Sequence, residues 1–204
     1  MEIADRFFRR LSGALQAPSS ATTVPAGMRP AGVLVPLRGA GDELRVVLSR
    51  RTERVPHHKG QVCFPGGSRD PGDPDLLATA LREAGEELGI GGSDVALLGA
   101  MDPVPTVTGF FIQPYVARLS ASATFRLDGF EMAEVFEAPL SIFGDFGRYR
   151  RARTTFLGEA YDVYFFDYPP YTIWGATAKI LRRLAGIAAS IPAGIDTALA
   201  PRIK

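Results

Sequence analysis

The sequence contains one cysteine, Cys63, among 204 residues, and it has no long apolar run. A single cysteine excludes an internal disulfide, and no apolar run approaches the roughly 20 residues that a membrane-spanning helix needs. The first residues, MEIADRFFRRLSGAL, also lack the apolar segment of a signal peptide. The formal net charge is only +1, which favours neither nucleic acid nor a membrane surface as a partner. We therefore expect a cytoplasmic protein that binds neither.

With 46% hydrophobic and 22% charged residues, the composition is typical of a soluble globular protein, and the length suits one domain. Segments with helical and strand-like patterns interleave without the regular spacing of parallel βαβ units. We predict an α+β fold in which helices pack around a central mixed β-sheet. Residues 1–30 are expected to form a helix and a connector, residues 31–190 the main domain, and residues 191–204 a C-terminal tail.

Periodicity and turn residues predict three helices. The clearest spans residues 75–89, with Asp75 as its N-cap and Gly89 as its C-terminal stop. Amphipathic patterns predict a first helix over 3–15 and a closing helix over 172–190. The predicted strands are two hairpins, 31–39 with 43–51 and 149–157 with 161–168, and the segments 61–64, 94–102, 110–119 and the first part of 134–146, whereas 65–74 is expected to be a loop.

The helix over 75–89 carries an unusual row of acids. Glu83, Glu86 and Glu87 fall within about a third of the helix circumference, and we expect them opposite an apolar face. That face would consist of Leu81, Ala84, Gly85 and Leu88. Glutamates three and four residues apart repel by roughly 0.2–0.5 kcal/mol per pair, and Arg82 supplies one neighbouring positive charge. A divalent cation would convert this repulsion into attraction, and a solvated acidic face is the alternative.

Charge is distributed unevenly on the two sides of the Pro-Gly-Gly stretch at 65–67. Segment 50–59 holds four basic residues and one acid, whereas segment 70–87 holds six acids and one arginine. A basic loop beside an acidic helix suits a polyphosphate, because arginines bind its outer oxygens while metal ions neutralise its inner ones. Carboxylates without a cluster of His or Cys favour Mg²⁺ or Mn²⁺ over zinc. Ordinary surface charge is the alternative interpretation.

These residues resemble the sequence box of the Nudix hydrolase family, G-x5-E-x7-R-E-U-x-E-E-x-G-U, in which U is a bulky apolar residue. Gly67 corresponds to its first position, and Asp73 stands near its first acid. The second half is matched by Arg82, Glu83, Glu86, Glu87, Gly89 and Ile90. The spacing between Gly67 and Arg82 is one residue longer than in the general box. The resemblance implies a Nudix-type α/β/α sandwich.

The longer spacing is similar to that of the coenzyme A (CoA) pyrophosphatase branch of the family. The FPGG and TALREAxEE segments of that branch correspond to residues 64–67 and 79–87, with Asp70 and Asp73 between them. An upstream pattern of the branch is matched at Leu48, Ser49, Arg51, Thr52 and Gly60. Pro56 stands where that pattern has an arginine, and Arg54 is two residues away. With GFFIQPYV, EVFEAPL and IWGATAKIL downstream, the likeness covers about residues 31–185.

The resemblance implies hydrolysis of the diphosphate of CoA or acyl-CoA by a water molecule that Mg²⁺ or Mn²⁺ activates. The products would be 3′,5′-ADP and 4′-phosphopantetheine or its acyl form. By the same resemblance, Glu83, Glu86, Glu87 and the carbonyl group of Gly67 would bind the metal, and Arg82 would orient the glutamates.

The sequence identifies the general base and the substrate-binding residues less directly than the metal ligands. The candidates for the general base are Glu86, Glu134 and Glu131. The basic loop is expected to bind the 3′-phosphate of the small-molecule substrate, with these candidate residues: Arg50, Arg51, Arg54, His57, His58 and Lys59.

Two other functions stay open from the sequence. One is a pyrophosphatase of the same family that acts on ADP-ribose, NADH or dinucleoside polyphosphates. The other is a metal-dependent nucleotide sensor without turnover, against which the intact glutamates and Arg82 argue. The apolar first helix and the aromatic hairpin could support a homodimer, and they could equally complete the core.

Overall fold

The computed structural model describes residues 2–19, 22–39, 43–156 and 158–191. Within these residues the helices are α1 (Glu2–Ala14), α2 (Leu76–Leu88) and α3 (Gly175–Ser190). The strands are β1 (Arg29–Arg38), β2 (Arg45–Arg51), β3 (Val62–Cys63), β4 (Gly66–Ser68), β5 (Val95–Ala100), β6 (Val104–Pro105), β7 (Phe110–Leu119), β8 (Met132–Pro139), β9 (Tyr149–Phe156), β10 (Glu159–Tyr168) and β11 (Tyr171–Trp174). None of the described helices combines the length and the apolarity that crossing a membrane requires.

The central sheet is mixed, as the sequence predicts. Its main order is β3-β2-β1-β7-β5, and β8, β4 and β6 pair with β2, β1 and β7 respectively. The neighbours β1 and β7 run parallel, with Leu34 opposite Tyr115, whereas the other pairs are antiparallel. The predicted hairpin of β1 and β2 is present, although its turn residues 40–42 lie outside the described part of the chain.

Helices cover both faces of this sheet. On one face, α2 packs Leu76, Ala80 and Ala84 against Leu34 of β1. On the other face, α1 and α3 contribute to a larger apolar cluster that also contains Val35. The first helix is therefore part of the common core. The predicted α+β fold with a central mixed sheet is confirmed, and the predicted tail lies almost wholly outside the described residues.

Signals at both ends of α2 agree with the prediction. The Asp75 carboxylate accepts a hydrogen bond from the backbone N–H of Ala78 at 2.8 Å, which caps the first turn. Gly89 adopts a left-handed conformation with φ of 70°, which ends the helix at low steric cost. Gly32 of β1 lies under the helix, where a Cβ atom would collide with the carbonyl oxygen of Leu76. The helix backbone can therefore approach the sheet closely.

The buried face of α2 differs from the predicted one. Ala80, Ala84 and Leu88 are buried together with Glu87, whereas Gly85 is exposed. Glu87 follows Ala84 by three residues, so it lies on the same side of the helix. The acids therefore border the buried face instead of lying opposite it, because the close approach over Gly32 turns Ala80 and Ala84 to the sheet.

Two further predictions need correction. The stretch 65–74 is not all loop, because β4 pairs with β1, with Val33 opposite Gly66. The closing helix begins at Gly175 instead of residue 172, because Tyr171–Trp174 forms β11, the third strand of a sheet with β10 and β9. In that register Ile173 lies opposite Phe166, and both side chains are completely buried. Burial within the sheet therefore overrides the helical periodicity of this segment.

Candidate active site

Glu87 forms the buried floor of the site. Its residue is only 3% exposed, and its Oε2 accepts a hydrogen bond from the backbone N–H of Gly66 at 3.1 Å. Arg51 Nη1 lies 3.4 Å from its Oε1. Burial, together with a smaller effect of the nearby Glu83, raises the pKa of Glu87 to about 8. An ionised Glu87 would therefore need more positive charge than Arg51 provides.

Glu83 lies directly against the backbone of Gly67. A Cβ atom at Gly67 would collide with the Glu83 carboxylate, so only glycine leaves room for this contact. The Glu83 side chain is 19% exposed, and burial raises the pKa of this carboxyl group. The pairing of β4 with β1 places Gly67 beside α2, which brings together Gly67 and Glu83, two of the four residues that the resemblance assigns to the metal.

Arg82 connects the loop to the acidic row. Its Nε and Nη2 atoms each lie 3.1 Å from an oxygen of Asp73, its Nη1 lies 2.9 Å from Glu86, and its Nη2 lies 3.1 Å from Glu83. Asp73 is buried and also accepts a hydrogen bond from the Thr79 hydroxyl at 2.9 Å. The Arg82 hydrogen bond is the largest cause that lowers the pKa of Asp73, to about 2. Arg82 is therefore a fixed cation that orients two glutamates.

The donor set fits a hard divalent cation in its chemistry. Glu83, Glu86, Glu87 and the Gly67 carbonyl provide oxygen atoms only, which suits Mg²⁺ or Mn²⁺. The buried Glu87, with its raised pKa, is the group that such a cation would return to its ionised form. In the described residues, however, no three His, Cys, Asp or Glu side chains already form a metal-binding cluster. Glu86, whose side chain is 59% exposed, pairs with Arg82 and would have to turn inward.

Two glutamates of the β8 region take different positions. Glu134 lies opposite Arg50 in the pairing of β2 with β8, 3.1 Å from Arg50 Nε, and it also accepts a hydrogen bond from the Tyr171 hydroxyl. The Tyr171 hydrogen bond, followed by that of Arg50, lowers the pKa of Glu134. Glu131 instead lies 2.8 Å from Arg51 Nη2, and Arg51 also contacts Glu87.

Arg51 therefore connects Glu131 to the acidic row. Glu134 instead interacts with Arg50 and Tyr171. The pairing register shifts between Arg50 and Arg51, and adjacent strand residues point to opposite faces. From the sequence alone these two acids are equivalent, since both sit near a predicted strand. The bulge that separates them has no local signal in the sequence.

A cleft of about 460 Å³ opens beside these residues. Arg51, Glu131, Gly66 and Gly67 belong to its wall, and most of the remaining lining is apolar. Among the basic residues expected to bind substrate, Arg51 and His58 line the cleft, and so does His57. Three of them are absent from its lining, namely Arg50, Arg54 and Lys59.

Other parts of the cleft wall come from segments to which the sequence assigns no function. Residues 104–108 form one part, and β10, β11 and the start of α3 form another, including Trp174 and Lys179. These residues lie far from the FPGG segment in sequence, and only the tertiary structure places them here. Trp174 is 39% exposed.

Comparisons with known proteins agree with this geometry. A model of the NUDIX domain matches residues 28–139, which is more than half of the chain. The uncharacterized Nudix hydrolase NudL of Citrobacter koseri is 40% identical over 158 residues, which cover 77% of this chain and 81% of that protein. The protein of the same name from Photorhabdus laumondii is 36% identical over 171 residues, which cover 84% of this chain and 91% of that protein.

A solved structure shows the same fold at lower identity. The Nudix hydrolase RenU from M. smegmatis superposes with a TM-score of 0.54 and 17% identity, and the match covers 87% of this chain and 95% of that one. The family model and the relatives match the same part of the chain that carries the acidic row, Arg82 and Gly67. The chain therefore belongs to the Nudix hydrolase family.

Proposed function

We propose that this protein hydrolyses the diphosphate of CoA and acyl-CoA to 3′,5′-ADP and 4′-phosphopantetheine or its acyl form. The observation that carries the proposal is the cleft, because one wall holds Arg51, Gly67 and Glu131 while most of the rest is apolar. A CoA molecule combines a charged diphosphate with a long, weakly polar pantetheine arm, so its two parts match the two parts of this wall. The match of the FPGG and upstream segments to the CoA branch supports the same substrate.

The residues of the site have distinct roles in this proposal. Glu83, Glu86, Glu87 and the Gly67 carbonyl would hold Mg²⁺ or Mn²⁺, which lowers the pKa of bound water and neutralises phosphate charge. Arg82 keeps the Glu83 carboxylate in place through its anchor on Asp73. Arg51, beside Glu87 on the cleft wall, would bind oxygens of the diphosphate.

We assign the general base to Glu131 in preference to Glu134. A base must reach the attacking water in the cleft, and Glu131 belongs to the cleft wall whereas Glu134 does not. The pKa of Glu134 is lowered by its two hydrogen-bond partners, which makes it a weaker base. Glu131 would accept the proton of the water on a carboxylate oxygen, while Arg51 holds the side chain from the other oxygen.

A substrate panel tests the proposal. CoA, acetyl-CoA, ADP-ribose, NADH and diadenosine tetraphosphate would each be incubated with the protein and Mg²⁺ or Mn²⁺, with products separated by chromatography. We expect 3′,5′-ADP to form from CoA and acetyl-CoA, with turnover of ADP-ribose at least about tenfold slower. Faster turnover of ADP-ribose, NADH or diadenosine tetraphosphate would show a different pyrophosphatase.

The matched variant for this panel is Glu86→Gln. Because the Glu86 side chain is largely exposed, we expect a change in unfolding free energy within about 0.5 kcal/mol and a loss of turnover of at least about 100-fold. If wild type and variant are equally inactive on every diphosphate with either metal, the protein is a sensor instead of an enzyme.

A further inference from the structure

Lys179 lies on the wall of the cleft. It belongs to the second turn of α3 and is half-buried, and among the described residues it has neither a hydrogen bond nor an ion pair. Burial, followed by the nearby Arg183, lowers its pKa. Attraction to Asp162 acts in the opposite direction but ranks below both, so the partly desolvated ammonium group still costs free energy. A bound anion would remove that cost.

The other charges at this wall compensate Lys179 only in part. Asp162 also lines the cleft and attracts Lys179, but its carboxylate lies 3.5 Å from Arg151 and 3.7 Å from Arg153 and is shared with them. Arg51, the other lysine or arginine among the described lining residues, is committed to Glu87 and Glu131. Among the described lysines and arginines of the wall, Lys179 is therefore the one without a direct ion pair.

The surroundings of Lys179 suit a nucleotide. The Trp174 indole lines the same cleft and stacks on Phe165, with 6.1 Å between ring centroids, so one more ring could stack on its exposed area. The first turn of α3 has no side-chain cap, so its N–H groups add to the positive potential near the lysine.

We propose that Lys179 is a specificity-determining residue that binds the 3′-phosphate of CoA, the anionic group remote from the scissile diphosphate. This inference rests on the proposed function and assigns that phosphate to Lys179 instead of the arginines and the lysine of the basic loop, whereas His57 and His58 of that loop also line the cleft. Arg54 and Lys59 are not among the lining residues, and Arg50 is paired with Glu134. A half-buried ammonium group binds a phosphate more strongly than an exposed one, because water screens the interaction less.

The test compares CoA with 3′-dephospho-CoA, which lacks only this phosphate. In Lys179→Met we expect kcat/KM for CoA to fall about tenfold or more, while that for 3′-dephospho-CoA stays within about twofold. Lys179→Arg keeps the charge and should retain most of the preference for CoA. Equal loss with both substrates would overturn the proposal, as would loss of the preference in Lys59→Met and not in Lys179→Met.

A second comparison distinguishes the 3′-phosphate from another anionic group that Lys179 could bind, the carboxylate of a dicarboxylic acyl chain. If Lys179→Met slows malonyl-CoA relative to acetyl-CoA and leaves the preference for CoA over 3′-dephospho-CoA intact, the assignment to the 3′-phosphate is wrong. Equal effects on malonyl-CoA and acetyl-CoA, together with a lost preference for the 3′-phosphate, support it.

A binding measurement keeps this inference separate from the proposed function. Calorimetric titration of wild type and Lys179→Met with 3′,5′-ADP and 5′-AMP needs no turnover, and thermal melting confirms that the variant is folded. Wild type should bind 3′,5′-ADP about tenfold more tightly than 5′-AMP, and the variant should bind both alike. If wild type hydrolyses no CoA, the proposed function fails. If wild type binds both nucleotides alike, the role of Lys179 fails.

Discussion

The helix α2 carries the acidic row beside the cleft and α3 brings Lys179 to its wall, but the positions of the two helices are determined in different ways. The ends of α2 carry their own signals, the Asp75 cap and the left-handed Gly89. The start of α3 has no side-chain cap and follows β11 directly, so pairing of β11 with β10 decides where the helix begins. A helix with local end signals can be placed from sequence, whereas one without them depends on its tertiary neighbours.

The charged residues of the two helices also differ in whether their neighbours are close in sequence. The acids of α2 are neighbours in sequence, and Arg82 of the same helix contacts Glu83 and Glu86. Lys179 of α3 gains its environment from β10 and from the cleft, which are distant in sequence. The acidic row proposed to hold the metal is thus local in origin, whereas the residue proposed for substrate preference is not.

The largest expected effect comes from removing the buried charge of α2. We expect Glu87→Gln to lower turnover of the substrate that the panel identifies by at least about 100-fold, because one of the proposed metal ligands loses its charge. The measurement is the initial rate at several Mg²⁺ or Mn²⁺ concentrations. Retained activity with unchanged metal dependence would contradict the role of Glu87.

The same variant gives a pH prediction for stability without metal. The pKa of Glu87 rises from 4.5 to about 8 on folding, so the folded state holds a proton that the unfolded state releases between these values. Wild-type stability should therefore fall relative to Glu87→Gln as pH rises from about 4.5 to about 8, and the difference should level off above that. Urea unfolding across this pH range measures it, and a constant difference would show that the carboxyl group is not perturbed.

A smaller effect is expected at the contact between the loop and α2. Gly67→Ala places a methyl group against the Glu83 carboxylate and should lower activity by about 10- to 100-fold, since a misplacement of about 1 Å at a site can cost this much. Gly72→Ala is the matched control, because a Cβ atom there meets nothing within 4 Å. Similar activity of the two variants would show that the contact with Glu83 does not matter.

The smallest effect tests the local end signal of α2. Asp75→Ala removes the cap to Ala78 and should lower the free energy of unfolding by about 1 kcal/mol. Asp75→Asn can still accept this hydrogen bond and should cost much less. Chemical unfolding of both variants distinguishes the cap from the charge, and equal losses would indicate that the charge matters.

Much of the fold near α2 could be predicted from the sequence, and less of the cleft could. The bounds of α2 and β7 agree with the helix predicted over 75–89 and the strand predicted over 110–119, because periodicity and end residues act within a few positions. The burial of Glu87 could not be predicted, since it depends on the close approach of α2 over Gly32. The separation of Glu131 from Glu134 depends on a bulge between β2 and β8, which periodicity cannot detect.

By itself the sequence determined the family of this protein, the row of acids on one helix and the ends of that helix, because all of these are properties of short spacings along the chain. Only the tertiary structure decided which acid is buried, which glutamate of the β8 region meets Arg51, and that Lys179 and Trp174 face the cleft. The physical reason is that burial and pairing arise where distant segments pack, and such contacts are not reflected in the periodicity of the sequence.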